Sequence, residues 1–112
     1  MKNHNVVKAS EITGVKVQNS SGEDIGDINE VVLDKISGQV NYLVLDFGGF
    51  LGFGNKFFAV PWNAFSYDKE DDCFILNVDK ERLKNAPGFD KEHWPNFADR
   101  NVTESITQYY QL

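Results

Sequence analysis

Along much of this chain apolar and polar residues alternate, and the alternation is interrupted mainly at glycines. Residues 15–18 (Val15, Lys16, Val17, Gln18) alternate as a half-buried strand does. Asn19-Ser20-Ser21-Gly22 is turn chemistry, which makes residues 15–18 the first arm of a hairpin. The returning arm, residues 24–36, carries Ile25, Ile28 and Val31 at intervals of three, with Gly26 between the first two, and then Leu33. A strict period of two cannot place all four on one face, so the pattern predicts a bulged or bent strand. A helix is the competing reading of that spacing, disfavoured by Gly26 near its start and by the adjacent valines at 31 and 32. Such curvature is what a small closed barrel requires.

After a tight turn at Ser37-Gly38, residues 39–47 are apolar on both faces. Val40, Tyr42 and Val44 lie on one side and Leu43, Leu45 and Phe47 on the other. One set lines a core; the other has to be covered by flanking helices or by another chain. With Phe47 on the core face, its truncation to alanine is expected to cost about 3–5 kcal/mol. A glycine-rich apolar turn, residues 48–55, leads to a strand over residues 56–60, which Pro61 ends or confines to an edge. Residues 63–68 read as a short strand or turn, residues 69–72 as a charged hairpin tip, and residues 73–78 as a strand with Phe74, Leu76 and Val78 on one face. Ser10 and Gly14 bracket one helical turn near the start. Asp79 caps a short helix over residues 80–86 that stops at Pro87-Gly88, and Asn101 with Glu104 resembles a capping box opening a last helix with Val102, Ile106 and Tyr109 or Tyr110 on one face. The sum is a mostly β chain of five or six antiparallel strands, with short helices towards the C-terminus.

Length and charge narrow what such a chain does. Its 112 residues are one ordinary domain, and 41% hydrophobic residues argue against disorder. A net charge of −6, from 11 basic and 17 acidic side chains with no basic cluster, disfavours direct contact with nucleic acid or anionic membranes. The start MKNHNVVKAS lacks the apolar core of a signal peptide, and no run approaches the ~20 apolar residues of a membrane span, so a cytoplasmic protein without membrane insertion is expected.

Candidate chemistry is sparse. Gly52 and Gly54 lead into a β-type run, and Lys56 has no neighbouring serine or threonine, which is not how a phosphate cradle is built. Asp68, Glu70, Asp72 and Asp79 match an EF-hand count, but Cys73 stands where that loop needs glycine. His4, His93 and Cys73 lack the paired spacing of metal ligands. Cys73, the one cysteine, opens a strand and reads as a structural thiol. Asp46, on the face of Val44, would need a partner if buried. No catalytic, cofactor or metal residue is assigned. Phe50, Leu51 and Phe53 in the glycine-rich turn, with Trp94, Tyr109 and Tyr110 in the tail, are the candidate contacts for another protein.

The segments ASEITGVKV (9–17), GEDIGDINEVVLD (22–34) and QVNYLVLDFGGFLGFGNKFFAVPW (39–62), followed by NAPGFDKEHWPNFAD (85–99), resemble the PRC-barrel family in its stand-alone bacterial form. The resemblance implies a small antiparallel β-barrel of about six strands over residues 8–86. A C-terminal extension, residues 87–112, would pack on that barrel or on a neighbouring subunit. It also implies a platform that binds proteins, with no shared catalytic motif. The expected function is a non-catalytic, self-associating protein-interaction module, hence a homo-oligomer with a further protein partner. The alternatives are a small-ligand protein with a site between barrel and tail, near Asp46, His93 and Trp94, or an accessory of an electron-transport or membrane complex.

Overall fold

The interval of three in the second arm is a pair of bulges. In the computed structural model, which describes residues 5–48 and 56–111, β1 (Lys16–Gln18) pairs antiparallel with β2 (Asp24–Leu33), with Val17 opposite Gly26 and Gln18 opposite Asp24. Ile25 is the extra residue. The register of β2 on β3 (Val40–Phe47) slips again between Ile28 and Glu30, so Ile28 faces Leu45 and Val31 faces Leu43. Each slip restores an isoleucine or valine to the inner face, which is how a spacing of three lines one core. The preceding turn is closed by Asn19, whose buried side chain accepts from the Ser21 and Glu23 amides and donates to the Glu23 carboxylate at 2.7 Å. At the next turn the Asp34 carboxylate accepts from the Ser37 and Ile36 amides, which hold it below the usual carboxylate range.

β3 continues antiparallel into β4 (Lys56–Pro61), with Leu43 opposite Val60, Val44 opposite Ala59 and Leu45 opposite Phe58. A single 3-10 turn, Trp62–Ala64, then carries the chain into β5 (Phe65–Asp68), which pairs antiparallel with β6 (Cys73–Leu76). The expected all-antiparallel arrangement is corrected at one place: β6 lies parallel to β1, with Val17 opposite Phe74. The 3-10 turn explains it. A hairpin reverses the chain, but Trp62–Ala64 does not, so β4 and β5 run in the same sense along the sheet and β6 runs in the same direction as β1.

The sheet order is β4-β3-β2-β1-β6-β5, a curled half-barrel with β4 and β5 as its edges. Leu43, Leu45, Phe58 and Val60 point into it and pack with Val17, Ile25, Ile28, Phe74, Leu76 and Val78, all buried. Asp79 caps α2 (Lys80–Lys84) by accepting from the Arg82 amide at 2.7 Å, and Leu83 closes one end of this core.

Two helix caps differ from the sequence reading. In α1 (Ala9–Ile12) the N-cap is Lys8, and Glu11 reaches back to its amide at 3.0 Å; Ser10 lies inside the turn, while Gly14 does follow with φ +85°. In α3 (Arg100–Tyr109) the N-cap is Asp99, which accepts from the Asn101 amide at 2.9 Å, two residues before the expected position. Asp99 and Asn101, two residues apart, are both good cap types; the one whose side chain meets the orphan amide, Asp99, is the cap.

Candidate interaction surface

The outer face of the β3–β4 ladder, carrying Tyr42, Val44, Asp46, Phe57 and Ala59, is the side that a lone barrel would expose. Most of it is covered by the same chain. Phe89 bridges to the β4 edge through two backbone hydrogen bonds with Phe57, of 2.8 and 2.9 Å. Phe57, Phe89 and Trp94 form one aromatic cluster, with centroids 4.8–5.9 Å apart. Further along, Phe97 stacks on Tyr42 at 5.4 Å, and Ile106 of α3 and Tyr110, the residue that ends it, are buried. These rings answer the need, visible in the two-faced strand, for a second apolar surface.

A reciprocal clasp holds the end of the tail. Arg82 of α2 donates to the Tyr109 carbonyl at 2.5 Å, the Tyr109 hydroxyl donates back to the Arg82 carbonyl, and the guanidinium lies 4.8 Å from the centre of the Tyr109 ring. Arginine over a ring adds cation–π attraction to the two hydrogen bonds. No local pattern links residues 82 and 109, so sequence reasoning missed Arg82; only its place in the last turn of a helix hinted at a carbonyl partner.

Of the six side chains expected to meet another protein, three, Phe50, Leu51 and Phe53, fall outside the described residues. Tyr109 is engaged by Arg82, and Tyr110 is buried inside its own chain, where desolvation pushes its hydroxyl pKa up. Trp94 has one side in the aromatic cluster and remains 41% exposed.

The cover stops at the other end of β3. The register of β2 on β3 slips once more between Val32 and Leu33, which brings Leu33 opposite Val40, while Tyr42 lies opposite Pro61. There Leu33 is 48% exposed and Trp62 40%. Val40, Tyr42, Pro61 and Trp62 wall an open cleft of about 650 Å³, rimmed by Gln39, Asn41, Asn63 and Thr107. None of these eight residues is charged, in a chain where 25% are. Trp62 rests its inner edge on Phe74 at 6.0 Å, which fixes its orientation. A tryptophan directly after a proline is the local feature in the sequence that marks this cleft; that Val40 and Tyr42 wall it with Trp62 depends on the packing of β3.

The titratable residues singled out earlier fall in separate places. Cys73 is buried, and desolvation first, then the carboxylates of Asp68, Asp71 and Asp72, push its thiol pKa up, away from the reactive thiolate. Asp68 caps its own hairpin tip by accepting from the Glu70 and Asp71 amides, and Asp72, at φ +50°, bonds to the Tyr67 hydroxyl. Asp46 is half-buried opposite Asp27 and Phe57. His93, in the tail, is largely exposed, its Nδ1 2.7 Å from the Asp90 carboxylate. No described helix is long and apolar enough to cross a membrane.

These features agree with the comparisons to known proteins. No curated protein matches the chain. The family model of the PRC-barrel domain matches residues 4–83, from before α1 to Leu83 of α2, and so covers every strand and the core they enclose. The chain therefore belongs to the PRC-barrel family.

Proposed function

We propose that this protein is a non-catalytic PRC-barrel module that associates with itself and with a further protein, through the bare end of its outer sheet face. The observation that carries this reading is the charge-free cleft walled by Val40, Tyr42, Pro61 and the 40%-exposed Trp62, with its rim of amides and a hydroxyl. Depletion of charge, a tryptophan anchor and a polar rim are the composition of protein interfaces. The charge of −6 adds a constraint. Two copies repel one another across most of their surface, so they meet where neither carries charge. Among the described residues, the buried thiol, the Asp90-bound imidazole and the self-capping aspartates at the hairpin tip stand apart from one another, which supports a binding role over acid–base or nucleophilic work.

Sedimentation velocity over a concentration series tests this reading. The wild-type chain should shift to a larger species as concentration rises. Trp62→Asp should weaken that association by roughly thirtyfold or more, as expected for an anchor worth about 2 kcal/mol, while keeping the wild-type thermal transition. A wild-type chain that stays a monomer at millimolar concentration, or a Trp62→Asp variant that associates like wild type, would contradict the proposal.

A further inference from the structure

The cleft at Trp62 and residues 49–55 belong to opposite ends of one ladder. β3 and β4 pair from Phe47 opposite Lys56 at one end to Tyr42 opposite Pro61 at the other. Residues 49–55, outside the described residues, join Gly48 to Lys56 and so connect the two strands at the end away from the cleft. Their sequence, Gly-Phe-Leu-Gly-Phe-Gly-Asn, carries three large apolar side chains and no charge.

What the cleft requires of an occupant matches that sequence. Its volume of about 650 Å³ lies in the roughly 300–1,000 Å³ range that holds a drug-sized molecule, hence a few side chains and not a folded element. Its walls, Val40, Tyr42, Pro61 and Trp62, take apolar groups. The rim amides of Gln39, Asn41 and Asn63 both donate and accept, as main-chain N–H and C=O groups require. Glycines at 49, 52 and 54 leave the main chain bare for such contacts. An uncharged segment also enters without desolvating a carboxylate, in a chain whose net charge is −6.

Within one copy the two are too far apart to meet. Tyr42 lies six residues back along the chain from Gly48, about 20 Å of strand. A segment anchored at Gly48 and Lys56, eight residues apart, extends at most about 14 Å from its anchors. The path between them along the outer face is occupied by Phe89 against Phe57 and by Phe97 on Tyr42.

We propose that the occupant of the Trp62 cleft is residues 49–55 of a second copy of this chain, with Phe50, Leu51 and Phe53 against the indole and its apolar neighbours. The contact is heterologous: it joins two different patches, so every copy brings one segment and one cleft. This rests on the reading of that cleft as a protein contact and names what fills it.

Sedimentation of two variants, alone and mixed, tests it. Trp62→Asp spoils the cleft and keeps the segment. The triple variant Phe50→Ser, Leu51→Ser, Phe53→Ser spoils the segment and keeps the cleft. Each alone should associate more weakly than wild type by about tenfold or more. An equimolar mixture should form a pair of one copy of each, which neither variant forms with itself. If the triple variant associates like wild type while Trp62→Asp does not, or if the mixture forms no pair, the cleft reading stands and this inference falls. If Trp62→Asp associates like wild type, the cleft reading falls with it. A second measurement leaves the segment nearly intact. Leu51→Cys mixed with Asn63→Cys under mild oxidation should give the mixed disulfide in excess of random pairing, with the buried Cys73 shielded in both. A mixed yield no greater than random pairing gives overturns the proposal.

Discussion

Gly26→Ala is expected to destabilise the fold by about 3–5 kcal/mol, because it combines backbone strain with a clash that has no soft partner. Gly26 sits in the first bulge at φ +132°, where residues with a side chain are strained. A methyl group there would lie 2.2 Å from the carbonyl oxygen of Asp46, a backbone atom fixed between two strands, since Asp46 pairs with Asp27 of β2 and Phe57 of β4. The strand would have to move away from its neighbour, and with it the bulge that turns Ile25 and Ile28 inward. Gly22→Ala separates the two effects: Gly22 has φ +83° but open space where its Cβ would stand. It should cost only about 1 kcal/mol, the backbone part alone. Urea denaturation of both variants measures the difference as a shift in midpoint at constant slope. A Gly26→Ala loss no larger than that of Gly22→Ala would mean that the close approach of β2 to β3 is not as described.

Phe58→Ala is the second large effect, at about 3–5 kcal/mol by the same measurement. The ring is fully buried, lies opposite Leu45, meets Phe47 edge-on at 6.4 Å and carries the Lys56 ammonium 5.3 Å from its centre. No small rearrangement fills a void of that size in the middle of the core. Phe47, expected from the sequence to be equally costly, is only half-buried at the end of β3. Its truncation should cost less than that of Phe58, because part of its ring already faces water in the folded chain. The alternation along residues 39–47 predicted its face correctly; depth along the strand is set by how far the neighbouring strands extend, which alternation does not report.

The same distinction separates what was legible from what was not. Spacings of three around Gly26 announced the bulges, because a chain that must bury Ile25, Ile28 and Val31 on one face of a strand has no other way to do it. Two apolar faces on residues 39–47 announced a cover, and the rings of the tail, Phe89, Trp94 and Phe97, are that cover within the same chain. The parallel β1–β6 pairing was hidden, since it depends on whether three residues after Pro61 reverse the chain, and a 3-10 turn and a hairpin use similar residues there. The Arg82–Tyr109 clasp was hidden for a related reason: both residues also make sense as solvent-exposed helix positions, and only the path of the tail brings them together. For the interaction surface, the residues that line the cleft come from β3, the turn after β4 and α3, and only the packing of the chain brings them together.

The account rests on the claim that the uncovered end at Trp62, and not the tail at Trp94, is where this barrel meets protein. With two tryptophans in the chain, the indole N–H resonances report on both places at once. Recorded from micromolar to millimolar concentration, the Trp62 signal should move or broaden progressively while the Trp94 signal holds its position. A Trp62 signal unchanged across that range, or a concentration dependence confined to Trp94, would contradict it.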